Sequence, residues 1–390
     1  MRFSNLFRDF TSSERSGGLV LLGCTLLALW MANSGFGEEY IHFWHQKATL
    51  SVAGLDLSIE GWINDGLMSI FFLLVGLEIE REIYVGELNS LKAAGLPVAA
   101  AIGGMLLPAV LYAWFNQGTP TQSGFGIPMA TDIAFALGML SLLGKRVPHA
   151  LKIFLTALAI IDDLGAIFVI AIFYNSGIDW IYLGGALAIF GGLLLLNRLK
   201  IHRLAFYLIP GVLMWYCMLR SGVHPTLAGV LLAFAIPFGK NDETNISYQL
   251  QHWLHKPVAF IILPLFALAN TGIMLQEHWY DNLANPSGLG IITGLVIGKP
   301  VGIVLACWLL TKLNWGKLPP GVGWSQLLGA GILGGIGFTM SIFITNLAFK
   351  DASIIQASKL SVLVASLIAA ILGLLLLRIA TPKSTTNLSD

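Results

Sequence analysis

Ile160-Ile161-Asp162-Asp163-Leu164-Gly165 sets two adjacent carboxylates near the middle of an apolar run, Leu151 to Tyr174. A run of that length matches the roughly 20 residues that a helix needs to cross a bilayer core. A carboxylate inside hydrocarbon costs about 2.5–3.5 kcal/mol on insertion scales, so the pair costs about 5–7 kcal/mol before compensation. Nothing about folding calls for that penalty, so the pair is read first as an intramembrane functional site.

The rest of the chain agrees with a membrane setting. Of its 390 residues, 56% are hydrophobic and only 11% charged, and mean hydropathy is +0.77. Ordinary soluble domains carry about 25% charged residues. The net charge of +1 supplies no basic field for nucleic acid. Cys24, Cys217 and Cys307 each lie in apolar stretches without paired spacing or His companions, and are read as small buried hydrophobes. Arg2, Arg8 and Arg15 precede the apolar run Leu19–Ala32, but no small-residue cleavage site follows, so this is read as a retained first span.

Apolar runs predict an all-α polytopic fold of twelve transmembrane helices, at about 12–32, 60–85, 94–116, 121–143, 150–175, 180–199, 204–218, 223–237, 250–271, 288–311, 326–349 and 357–380. No linker divides the chain, so 1–390 is read as one membrane domain. Between the first two spans, Leu50-Ser51-Val52-Ala53-Gly54-Leu55-Asp56-Leu57-Ser58 alternates around a glycine and predicts a small β-hairpin. Lys and Arg set the orientation. With the N-terminus inside, only Lys47, Arg220, Lys350 and Lys359 fall on the outer side and Lys299 within a span. The remaining 17 of 22 are cytoplasmic, as are both termini.

Two spans are interrupted. The fourth contains Gly124, Gly126 and Pro128, followed by Met129-Ala130-Thr131-Asp132. The eleventh contains Gly329, Gly331, Gly334, Gly335 and Gly337, followed by Phe338-Thr339-Met340-Ser341. Matching interruptions in two halves point to an ion site between inverted-topology repeats, here 94–175 and 288–380, with 12–85 and 180–271 as the interface helices. The same small residues would also serve close helix packing.

Asp132, Asp162, Asp163 and Lys299 all fall within predicted spans, at a combined cost of about 10–14 kcal/mol. Lys299 lies about halfway along the tenth, where a carboxylate partner is favoured over snorkelling to the interface. Adjacent helical residues project about 100° apart. One aspartate can therefore meet Lys299 while its neighbour faces a cavity. Broken helices present partial positive N-terminal ends and partial negative C-terminal ends, which Asp132 and Lys299 are candidates to neutralise. The possible cation ligands are hard oxygens from Asp162, Asp163, Thr131 and freed carbonyls, with no Cys or His close in sequence; this favours a small monovalent ion or a proton. Adjacent carboxylates titrate as a coupled pair. Such a site holds protons or a cation, but poorly both.

Ala130-Thr131-Asp132-Ile133-Ala134-Phe135 and Ala159-Ile160-Ile161-Asp162-Asp163-Leu164-Gly165 closely resemble the NhaA family of bacterial sodium–proton antiporters. So do Gly298-Lys299-Pro300 and Gly334-Gly335-Ile336-Gly337-Phe338-Thr339-Met340-Ser341. Inverted repeats are a property of that family. The resemblance covers essentially the whole chain. It implies a homodimer of the bacterial inner membrane that exports Na⁺ or Li⁺ against more than one inward proton, without a cofactor. It assigns ion and proton binding to Asp163 and Asp162, a salt bridge with Asp162 to Lys299, and charge compensation at the crossed breaks to Asp132. It places Pro128, Gly335, Gly337 and Met340 in the broken helices and makes the 45–58 hairpin the dimer contact. It further implies alkaline activation through Glu78, Glu82, His252, His255 and Lys256. Gln251 departs from the pattern, standing where a carboxylate is expected, which leaves the pH threshold open.

Other readings remain at this level. An ion-coupled solute transporter would need polar room beyond the carboxylates. An intramembrane aspartyl protease could use Asp132 and Asp162 as a dyad, but the Gly-x-Gly-Asp setting is missing and Lys299 would have no role. A passive channel would be slowed by a strong midway cation site. Asp65, beside Asn64, is read either as lining the outer entrance or as a satisfied polar residue, and His224 as a hydrogen-bonded helix-start histidine. For Glu78, Glu80, Arg81 and Glu82, a solvated helix end competes with the pH-sensing assignment.

Overall fold

The computed structural model describes residues 14–48, 54–175, 177–239, 245–275 and 277–381. They form helices α1 (Glu14–Ala32), α2 (Gly37–His45), α3 (Ile59–Tyr84), α4 (Leu91–Phe115), α5 (Ile133–Leu142), α6 (His149–Phe173), α7 (Trp180–Arg198), α8 (Ala205–Ser221), α9 (Leu227–Ala235), α10 (Ile246–Asn270), α11 (Pro286–Lys312), α12 (Trp324–Gly334), α13 (Phe338–Ala348) and α14 (Ala352–Ala380). A 3₁₀ turn, Gln122–Met129, leads towards α5.

Among the described residues, eight stretches are long and apolar enough to cross a membrane, and up to ten if each bent pair forms one span. The bent pairs are α1 with α2, at 115°, and α12 with α13, at 45°. Ala205–Ser221 has 17 residues and Leu227–Ala235 only nine, so the seventh and eighth expected spans fall short of that length. The nine-residue helix stops at Ile236, whose extended backbone precedes Pro237; a residue before proline is driven from helical to extended geometry.

Only the flanks of the expected hairpin are described. Among the described residues no strand forms. A single antiparallel bridge joins Lys47 to Ser58, with Ala48 N donating to Leu57 O at 2.9 Å and Ile59 N to Gln46 O at 3.0 Å. Residues 49–53 of the predicted hairpin lie outside the described residues. The same connection contains α2, which the alternation pattern did not reveal. Glu38 and Glu39 in its first turn and His42 and His45 in its last complement the helix dipole. Tyr40 and Trp44, four residues apart, are buried on one face. Tyr40 also donates to Leu268 O at 2.6 Å.

The chain folds into two compact units. One comprises 1–19, 90–162 and 278–390; the other comprises 20–89 and 163–277. In the first, α4 and α11 approach through facing glycines: a Cβ on Gly103 would strike the Gly302 carbonyl, and one on Gly302 the Gly103 carbonyl. Gly329 and Gly373 bring α12 and α14 together over Leu377 and Leu333. In the second unit, Gly76 on α3 meets Ala233 on α9, and Gly229 sits against the Ser69 carbonyl. Backbones close enough to exclude a methyl group gain dispersion and need little apolar drive, as expected for packing in a lipid solvent.

Candidate functional site

The breaks in the fourth and eleventh expected spans build the site within the first unit. Pro128 lacks an amide hydrogen and cannot continue a helical ladder, and the 3₁₀ turn ends at Met129. Ala130, Thr131 and Asp132 then run in non-helical conformation until Ile133. In the other span, α12 ends at Gly334 and α13 starts at Phe338. A Cβ on Gly335 would meet the Leu295 carbonyl of α11, so only glycine lets the chain pass there. Gly337 is pressed similarly against Ser341, and Met340 is buried.

Hydrogen bonds lace the two interruptions together. Asp132 N donates to Ile336 O at 2.7 Å, and Ser341 Oγ donates to Ile127 O at 2.6 Å. The Asp132 carboxylate caps two helices. Oδ1 accepts from Phe135 N of α5 at 2.9 Å. Oδ2 accepts from Thr339 N of α13 at 3.1 Å and also from the Thr339 hydroxyl. A negative group thus sits where two sets of unpaired helical amides converge.

Lys299 enters from α11, directly after a π-turn at Gly294–Gly298. Its Nζ lies 2.8 Å from Asp162 Oδ2, and both side chains are fully sealed from solvent. It also donates to Met129 O at the end of the 3₁₀ turn. Thr131 Oγ1 lies 2.7 Å from Asp162 Oδ2 and 2.8 Å from Gly334 O. The threonine has one proton and two acceptors in reach. With Asp162 ionised, the hydroxyl can serve either. With Asp162 protonated at Oδ2, Asp162 can donate to Thr131 and Thr131 to Gly334.

Among the described residues, Asp162 Oδ1 is buried without a hydrogen-bond partner. A buried carboxylate oxygen without a donor is costly, and its lone pairs remain available to a hard cation. Thr131, Asp132, Asp162, Asp163 and Lys299 are each no more than 2% exposed. Asp163 follows Asp162 on α6 but belongs to the second compact unit; the division falls between these two residues.

Sequence reasoning did not single out Thr339, although its motif was conspicuous. Its signal was local: a hydroxyl two residues beyond the last glycine of a break, where a new helix has unpaired amides. The carbonyls of Met129, Gly334 and Ile336 carried no side-chain signal.

The residues considered for pH sensing fall elsewhere, in the second unit. Glu78 Oε1 lies 3.7 Å from His255 Nδ1. Tyr248 stacks on His252 with centroids 6.5 Å apart and lies under the Arg81 guanidinium at 5.2 Å. Gln251 and Lys256 share the first part of α10, and Glu82 sits near the end of α3. In the same unit, Asp65 Oδ1 is 3.6 Å from His224 Nε2, and His224 Nδ1 is 2.8 Å from Thr226 Oγ1. Asn64 and Asn270 exchange side-chain hydrogen bonds.

Comparison with known proteins decides the family. The family described as Na+/H+ antiporter 1 matches residues 8–377. The chain belongs to that family. It is 59% identical over 373 residues to the Na(+)/H(+) antiporter NhaA of Flavobacterium psychrophilum, covering 96% of each chain. It is 54% identical over 387 residues to that of Cytophaga hutchinsonii, covering 99% of this chain and 98% of the relative. The NhaA of Dechloromonas aromatica is 57% identical over 378 residues, 96% of each chain. Family membership and the apolar helices together make this a multi-pass membrane protein.

Proposed function

We propose that this chain is a secondary active Na⁺(Li⁺)/H⁺ antiporter that works electrogenically by alternating access. It is a transporter, not an enzyme. The observation that carries the reading is the Asp162 carboxylate: Oδ2 is held by Lys299 and Thr131, while Oδ1 is buried without a donor among the described residues. Asp162 and Asp163 bind Na⁺ or protons competitively, with Thr131 as a further ligand. Asp132 and Lys299 compensate the ends of the crossed helices broken at Pro128 and at Gly335 and Gly337, beside Met340. Protons and sodium exclude one another because each neutralises the same carboxylates. Exposure of that one site to each side in turn is then sufficient for exchange.

The finer reading has twelve spans in the inner membrane with both termini in the cytoplasm, supported by the Lys and Arg asymmetry. Residues 94–175 and 288–380 act as the inverted repeats, and 12–85 with 180–271 as the interface helices. The connection at 45–58 serves as a homodimer contact. Alkaline activation runs through Glu78, Glu82, His252, His255 and Lys256, with Gln251 shifting the threshold.

Everted vesicles loaded with a pH-sensitive dye test the proposal. Na⁺ or Li⁺ should evoke proton movement that K⁺ does not, and Asp163→Ala should abolish it. Persistence of exchange in that variant refutes the ion-site assignment. The pH midpoint of Gln251→Glu against wild type tests the activation reading.

A further inference from the structure

A groove of about 570 Å³ opens on the first unit between α11 and α12, lined by Val301, Val304, Leu305, Trp308, Trp324 and Leu328. That volume falls within the roughly 300–1,000 Å³ typical of small-molecule sites. Every lining side chain is apolar or aromatic. Residues 301, 305 and 308 recur at helical spacing on α11, and residues 324 and 328 do so on α12. Two stripes therefore face one trough.

One end of the trough carries an exposed ammonium. Lys312 follows Trp308 by one turn on α11, is exposed, and holds its Nζ 4.8 Å from the Trp308 ring. From Val301 to Lys312 the helix rises about 16 Å at 1.5 Å per residue. This arrangement combines an apolar channel, a tryptophan beside its mouth and an ammonium one turn beyond. Tryptophan and lysine at such a level mark the boundary between hydrocarbon and headgroups.

We propose that this groove is a binding site for one anionic phospholipid, with an acyl chain between α11 and α12 and its phosphate on Lys312. Inside a bilayer the apolar trough alone confers no preference, because neighbouring lipid tails are equally apolar. Selectivity therefore comes from the ammonium, and shape complementarity keeps the chain in place. The Lys and Arg asymmetry assigns this end of α11 to the cytoplasmic side, where anionic headgroups attract basic residues. The inner end of the groove includes Val301, two residues after Lys299, and Gly331 of α12 packs against the intervening Pro300. An occupant thus touches the helix segment that carries the buried lysine. The binding proposal needs only that the chain spans a bilayer, so it stands or falls independently of the antiport reading.

Native mass spectrometry of the detergent-purified protein, titrated separately with phosphatidylglycerol and phosphatidylcholine, provides the test. Wild type should retain one phosphatidylglycerol about tenfold more tightly than phosphatidylcholine. Lys312→Gln should abolish that preference, and Leu305→Trp, which fills the trough, should weaken retention of both lipids. Both positions are exposed, and melting curves in the same detergent identify any variant that has lost its fold; Val304→Trp then replaces Leu305→Trp, and Lys312→Met replaces Lys312→Gln. Equal retention of both lipids by wild type, or a tenfold preference surviving the loss of the Lys312 charge, overturns the proposal. Undiminished lipid retention in the filled groove does so as well.

Discussion

Asp132 and Thr339 stand 207 residues apart in the chain, yet one oxygen of the Asp132 carboxylate takes both the backbone amide and the hydroxyl of Thr339. The other oxygen caps Asp132's own helix through Phe135 N. One carboxylate thereby terminates two helices, fastening the interruption in the fourth span to that in the eleventh. On the opposite electrical end, Lys299 takes Met129 O. A carboxylate thus meets helix-start amides and an ammonium meets a carbonyl at a helix end, the pairing that helix dipoles favour.

Loss of that double cap should lower stability more than loss of an ordinary one. A single cap is worth about 0.5–2 kcal/mol, so Asp132→Ala is expected to cost about 1–4 kcal/mol, and Asp132→Asn less. Thermal unfolding of the purified protein measures this. A melting temperature for Asp132→Ala equal to that of wild type would show that the caps contribute nothing.

The Lys299–Asp162 pair should behave as a unit. Removing one partner of a buried pair costs about 3–5 kcal/mol because an uncompensated charge remains. Lys299→Met and Asp162→Asn should each destabilise the protein, whereas the double variant should recover part of the loss. A double-mutant cycle of unfolding free energies reads the coupling. Simple additivity would contradict it.

Competition for the carboxylates predicts a steep dependence of sodium affinity on acidity. Where one proton competes, apparent KM for Na⁺ rises about tenfold per pH unit below the pKa of the site. Initial rates of dye response in vesicles across a pH series supply the KM values. A constant KM throughout the active range would rule out direct competition.

The facing glycines of α4 and α11 leave no room for side chains. Gly103→Ala or Gly302→Ala would push a methyl group into the opposite carbonyl, and overpacking of this kind costs about 1–3 kcal/mol. The melting temperature should fall for both variants. Gly184→Ala, where a Cβ meets nothing within 4 Å, should leave it unchanged or slightly raised.

Acid should weaken the start of α14. Asp351 caps it, and hydrogen bonds from the Ser353 hydroxyl and from the Ser353 and Ile354 amides hold its carboxyl below the usual carboxylate range. A depressed folded-state pKa contributes stability that is present above the unfolded pKa and lost as pH falls through the folded one. The difference in melting temperature between wild type and Asp351→Ala should therefore be full at neutral pH and shrink below the normal carboxylate pKa. A difference independent of pH would mean that the charge has no part in the cap.

Composition and periodicity made much of this molecule legible. Apolar runs located its long helices because a bilayer core demands about 20 apolar residues at a time. Gly and Pro located both interruptions, since their effect on the backbone is local. The first external connection was less legible. Alternation over Leu50–Ser58 suggested a hairpin, where the described flanks hold a single bridge, and the helix Gly37–His45 escaped notice because it is short and rests on tertiary contacts such as Tyr40 with Leu268.

Sequence alone established that four charges lie in apolar surroundings and that adjacent aspartates must point apart, because insertion cost and helical pitch are properties of single segments. Helical pitch left open which aspartate meets Lys299, since that depends on the rotation of α6 relative to α11; the family resemblance assigned Asp162, and the structure places Lys299 Nζ 2.8 Å from its Oδ2. Only the tertiary structure recruited Thr339 to Asp132 and aimed Thr131 at both Asp162 and Gly334. Those choices rest on interhelical distances of a few ångströms, which no periodicity along one chain encodes.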